Sequence, residues 1–121
     1  MKAVKIGIMS SKDVQKRVID IAAGRYKPKP SEPKIWFNSI QSLAQVLSDN
    51  NIELLKLMAE KKPESIQELA DYTGKKPSNL SRTLKSFESY GFVQLVKNKR
   101  SIKPIVKAFE FKIEHVIGLA V

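Results

Sequence analysis

The stretch from Ser65 to Arg100, SIQELADYTGKKPSNLSRTLKSFESYGFVQLVKNKR, leaves the chain few choices of fold. Ser65 and Glu68 stand at the S-x-x-E spacing of a capping box, in which side chains satisfy the orphan N–H groups of a helix start. Ile66, Leu69 and Ala70 follow on one helical face. Gly74 has no Cβ and suits the left-handed residue that closes that helix. Lys75 and Lys76 form the turn. Pro77 suits the first position of a second helix, with φ already helical and no N–H to leave unpaired. The pattern predicts helix, tight turn, helix.

The second helix is expected over about Pro77 to Ser89. Leu80, Leu84 and Phe87 make its apolar stripe, and the opposite face holds Ser78, Arg82, Lys85 and Ser89, flanked by Asn79 and Ser86. That face carries no carboxylate; Glu88 lies towards the edge of the stripe. A helix that only meets water usually mixes Glu with Lys. This one offers donors and small hydroxyls, which suit phosphates and the base edges of a major groove. Gly91 ends the helix, and Phe92–Val96 is strand-like. Lys97-Asn98-Lys99-Arg100 makes a cationic hairpin tip, and Ser101-Ile102-Lys103 begins the return. The expected fold is mainly α with small β: a winged helix-turn-helix with an extra N-terminal strand and helix and a C-terminal strand.

The candidate contacts follow from that geometry. Ser78, Asn79, Ser81, Arg82, Lys85 and Ser86 on the second helix face the groove. Lys75 and Lys76 in the turn and Lys97, Asn98, Lys99 and Arg100 in the wing meet the phosphate backbone. Arg82 is the best base reader, because a guanidinium bridges O6 and N7 of guanine.

These residues resemble the winged-helix regulators of the MarR and ArsR kind. The shared phrases are Leu69-Ala70, the turn at Gly74, Ser81-Arg82-Thr83-Leu84, and Gly91-Phe92-Val93. Lys76 departs from the pattern, since many such regulators place a Ser N-cap there. The flanks (Lys5-Ile6-Gly7, Pro33 to Phe37 and Lys103-Pro104) resemble a narrower group of short prokaryotic DNA-binding proteins often encoded beside small toxin genes. The resemblance implies a dimeric repressor, and further an autoregulating antitoxin that binds a toxin partner through residues 1–37. The alternative is a winged-helix protein-interaction or RNA-binding module without operator recognition.

Charge supports a polyanion partner. Lys and Arg number 22 against 12 Asp and Glu, a net charge of +10. There is no cysteine, so disulfides, thiol catalysis and cysteine-based zinc sites are excluded. His115 is the single histidine, which argues against a metal centre. No nucleophile–base pair and no Gly-rich phosphate loop is present, so neither an enzyme nor a cofactor is expected. The apolar run before Ser10 is broken by Lys5 and is too short for a signal sequence or a membrane span, and the expected location is cytoplasmic.

The flanking segments fit around that core. Val4, Ile6 and Ile8 alternate as a short strand. Ser10 and Asp13 cap a helix running to about Gly24, with Val14, Val18, Ile21 and Ala22 at helical spacing. Arg25 to Lys34 holds three prolines and is taken as an extended connector. Ile35-Trp36-Phe37 is β-prone, with Trp36 assigned to the core. Asn38 or Ser39 opens one helix and Ser48-Asp49-Asn50 another. Leu54 and Leu57 leave that last helix a surplus apolar face suited to a second subunit. Pro104 to Glu114 alternates, with Phe109, Phe111 and Ile113 on the side expected to be buried, and is expected to pair with the N-terminal strand or with another chain. Domain bounds are expected at 1–37, 38–105 and 106–121. The expected partners are double-stranded DNA, a second copy and a toxin protein, with no membrane.

Overall fold

The structure, a computed structural model, describes residues 2–118. In order come β1 (Lys2–Ile8), α1 (Ser11–Ala22), β2 (Ile35–Phe37), α2 (Ile40–Val46) and α3 (Asp49–Lys61). Then follow α4 (Ile66–Thr73), α5 (Pro77–Ser89), β3 (Val93–Asn98), β4 (Ser101–Val106) and β5 (Ala108–His115). Short polar side chains start the helices by accepting N–H groups they would otherwise leave orphaned. Ser10 caps Asp13 at 3.2 Å, Ser48 caps Asn51 at 3.2 Å, and Ser65 caps Glu68 at 3.0 Å. Only half of the expected box at Ser65 forms. The Glu68 carboxylate accepts the Glu64 N–H at 3.4 Å instead of that of Ser65.

The expected fold class is overturned. Among the described residues five strands accompany five helices, and three of the strands form a sheet in the order β2-β1-β5 with β1 and β2 parallel. The chain is α/β, not a mainly α winged helix. The terminal strands are not trimmings on a helical domain; they build a layer of their own. The physical reason lies in β1. Its Ile6, Gly7 and Ile8 are all buried, so both faces are covered, as parallel strands require. The chain divides into two compact units, one built on Val46–Phe109, the other on Ala3–Gln45 with the segment from Glu110 onward.

In the sheet unit, Ile6, Gly7 and Ile8 stand beside Ile35, Trp36 and Phe37. A Cβ on Gly7 would run into the Trp36 ring, so any larger residue here requires that ring to move. Trp36 is half-buried rather than a core plug. The Arg17 guanidinium lies 5.2 Å from the Trp36 ring centroid and 5.2 Å from that of Tyr26. It also pairs with Glu32 at 2.7 Å, and the Tyr26 hydroxyl donates to the same carboxylate. Asp20 accepts from Arg25 at 3.0 Å and Lys16 at 3.1 Å. Those two hydrogen bonds, Lys16 first, hold its carboxyl below the ordinary 3.8. The segment from Arg25 to Lys34, expected as an extended connector, is therefore also fastened to α1.

Replacing Arg17 tests that fastening. Arg17→Ala removes an ion pair and two ring contacts at once and should lower stability by about 2–3 kcal/mol. Arg17→Lys should recover only part, since an ammonium cannot lie flat between two rings. Urea melts followed by Trp36 fluorescence would report it. Wild-type stability in Arg17→Ala would show the cluster to be idle.

In the other unit, Leu54, Leu55, Met58, Leu69, Leu80, Leu84, Phe87 and Phe92 are buried. Leu54, expected on an outward face, lies inside and can offer nothing to a second subunit. After β4 the chain turns at Lys107, where the Lys107 and Ala108 N–H groups both reach the Phe92 carbonyl, at 2.8 and 3.2 Å. This turn splits the expected continuous strand from Pro104 to Glu114 in two. The expected burial of Phe109 and Ile113 fails as well: they are 62% and 52% exposed. Among the described residues, no helix is long and apolar enough to cross a membrane.

Candidate nucleic-acid interface

The candidate surface is made by α4, α5 and the β3–β4 hairpin. Gly74 closes α4 at φ 72°, and its N–H bonds the Ala70 carbonyl at 2.8 Å. That left-handed residue swings the chain through Lys75 and Lys76 into Pro77, the first residue of α5. Lys76 holds the N-cap position and supplies no side-chain cap. The first turn of α5 contains no acidic residue. The early N–H groups and the positive end of the helix dipole therefore face outward uncompensated.

Burial sets which face of α5 is outward. Leu80, Leu84 and Phe87 are each at most 1% exposed. Ser78, Asn79, Arg82, Lys85 and Ser86 are exposed and Ser81 is half-buried. Glu88, the lone carboxylate of α5, accepts the Leu95 N–H at 3.3 Å and so ties the helix to β3. Behind this face Phe87 meets Phe92 with ring centroids 6.2 Å apart, and Tyr90 stacks on Phe92 at 5.5 Å.

The hairpin tip is tighter than expected. Asn98 pairs with Ser101, so the loop is only Lys99-Arg100, and Lys97 and Asn98 belong to β3. Lys99 adopts φ 58°, the sign that two-residue hairpin turns need at their first position. Lys97, Lys99 and Arg100 are exposed. Asn98 is engaged within the fold. Its amide donates to the Glu64 carbonyl at 3.3 Å and to the Glu64 carboxylate at 3.1 Å. Lys103 also reaches Glu64, at 3.4 Å. Glu64, which sequence reasoning passed over, thus moors the hairpin to the α3–α4 connection.

Among the described residues, Lys75, Lys76, Arg82, Lys85, Lys97, Lys99 and Arg100 make no ion pair. From Gly74 through Lys103 the chain holds eight Lys and Arg residues, Lys103 included, and one carboxylate, Glu88. A family model described as HVO_A0114 matches residues 46–113, more than half of the chain. The chain belongs to the HVO_A0114 family. No curated protein matches it. The matched segment includes every candidate contact from Lys75 to Arg100, and it covers α3, α4, α5 and both hairpin strands whole.

The sheet unit has a separate concavity of about 390 Å³ beside Arg17, bordered by Met9, Lys16, Asp20, Tyr26, Trp36 and Glu114. Sequence reasoning missed Arg17 and Glu32 here. Their pairing joins α1 to the proline-rich segment, 15 residues apart, and no local periodicity reports such a contact.

Proposed function

We propose that the protein is a sequence-specific double-stranded DNA-binding regulator that works as two copies in the cytoplasm. One observation carries the reading: seven exposed cations, in the turn before α5, on its outward face and at the β3–β4 hairpin, have no ion-pair partner among the described residues. Seven unpaired cations on one unit repel one another and lower its stability, a cost that a polyanion offsets. Here α5 enters the major groove. Arg82, near the middle of its outward face, reads a base edge, with Ser78, Asn79 and Ser81 beside it. Lys75, Lys76, Lys85, Lys97, Lys99 and Arg100 meet phosphates. Asn98 shapes the hairpin through Glu64 and leaves the phosphate contact to its neighbours.

The test compares two losses. A duplex selected from a random pool serves as the cognate site, and a scrambled duplex as the control. Arg82→Ala should cost about 1–3 kcal/mol on the selected duplex and little on the scrambled one. Lys97→Ala should weaken both about equally, as a phosphate contact does. Anisotropy titrations measure all four combinations. Equal losses for both variants on both duplexes would mean that α5 is not the reader. A preference for single-stranded RNA would overturn the proposal as a whole.

A further inference from the structure

Among the described residues β5 is the longest strand, at eight residues, and lies at the edge of its sheet. On one side it has β1; on the other, among the described residues, no strand. An open edge offers a row of backbone N–H and C=O groups to another strand, and proteins usually blunt such edges with shortness, proline, a bulge or charged side chains; β5 has charges at Glu110, Lys112 and Glu114, of both signs and so able to pair across a two-fold axis. β5 has no proline. Both of its faces are uncovered along most of its length: Phe109 and Ile113 are more than half exposed, and Glu110, Lys112 and Glu114 are exposed as well.

We propose that β5 pairs with β5 of a second copy of this chain, antiparallel, about a two-fold axis at Phe111. In that register Phe111 faces its own counterpart, and Phe109 lies opposite Ile113 of the second copy. Symmetry repeats the Phe109–Ile113 pair, so one face carries a continuous apolar ladder. On the other face Glu110 lies opposite Lys112 of the second copy, and this pair too occurs twice. Directly opposed aromatic, β-branched and opposite-charge pairs each stabilise an antiparallel ladder. Moving the axis one residue to Glu110 sets Glu110 against Glu110. Moving it to Lys112 sets Lys112 against Lys112 and Glu110 against Glu114. An axis at Ile113 restores opposite charges but pairs fewer residues and leaves Phe109 off the ladder. The Phe111 register alone satisfies the charges, the apolar face and the length together.

Charge also favours a second copy here rather than elsewhere. The chain as a whole carries +10 and repels itself, whereas β5 holds one lysine against two glutamates. A single strand edge makes a small interface, so the dimer should be weak and dependent on concentration. The proposal deepens the reading of the protein as a DNA binder working as two copies, and it names the surface that joins them.

Sedimentation of the full chain without DNA, up to about 100 µM, is the test for so small an interface. The wild type should dimerise. Glu110→Lys and Lys112→Glu each place like charges opposite in both repeated pairs and should weaken dimerisation about tenfold. Both positions are exposed, so folding should be unaffected, and circular dichroism checks that. Mixing the two variants in equal amounts should restore dimers, because each then supplies the charge the other lacks. A monomeric wild type, single variants that dimerise like the wild type, or a mixture that stays monomeric would overturn the proposal. Non-specific duplex binding, followed in parallel, separates the two claims. Dimerisation lost with DNA binding intact leaves the DNA reading standing; DNA binding absent with an intact dimer refutes that reading and leaves this one.

Discussion

Affinity for duplex DNA is expected to fall by several hundredfold between 50 and 200 mM salt, at about −4 to −5 in log K against log salt for each subunit. The slope follows from counterion release. Each phosphate neutralised by a lysine or arginine frees a condensed cation, at close to 0.9 per contact on B-DNA. Six exposed residues can make those contacts: Lys75, Lys76, Lys85, Lys97, Lys99 and Arg100. Four to six of them on phosphate yield the stated slope. None is spent on an internal ion pair among the described residues, so no internal partner competes with DNA. Lys103 differs, because Glu64 holds it at 3.4 Å. Lys103→Ala should therefore leave the slope unchanged, while Lys99→Ala should reduce it by about one. A flat response to salt would remove the electrostatic basis of the proposed function.

Phe87→Ala should cost about 3–5 kcal/mol, the range for emptying a fully buried phenylalanine site. Whole domains are stable by only about 5–15 kcal/mol, so this one change takes a large share. Phe87 is 0% exposed and touches Phe92, whose N–H bonds the Phe87 carbonyl at 2.9 Å. The Phe92 carbonyl in turn holds Lys107 and Ala108. Phe87 thus supports the joint between α5 and the hairpin from beneath. Its loss should loosen the outward face of α5, although no residue of that face changes. Denaturant midpoints by circular dichroism would show the effect. A loss below about 1 kcal/mol would mean that the helix is held by other contacts.

The helix pair was legible because its signals are local. Ser65, Gly74, Pro77 and Gly91 act on their own backbone, and Leu80, Leu84 and Phe87 repeat within one helix. Their expected places agree with α4 and α5 as observed. The bond between Asn98 and Glu64 was hidden for the opposite reason. The Asn98 amide meets Glu64, 34 residues away, and composition around the hairpin tip carries no trace of that bond. Phe109 and Ile113 were misjudged in another way. Alternation shows that a strand has an apolar side but not that anything covers it.

By itself, the sequence determined the local elements: where each helix starts and stops, which stripe of α5 faces inward, and that the surface opposite it is cationic. It also determined that the two ends of the chain are β-prone. Only the tertiary structure decided that β1, β2 and β5 join in one sheet, and so that the chain is α/β. Strand partners are chosen by burial on both faces and by close fits such as Gly7 beneath Trp36. Those fits bring together residues far apart in the chain, and no periodicity within either strand can encode which partner it will meet.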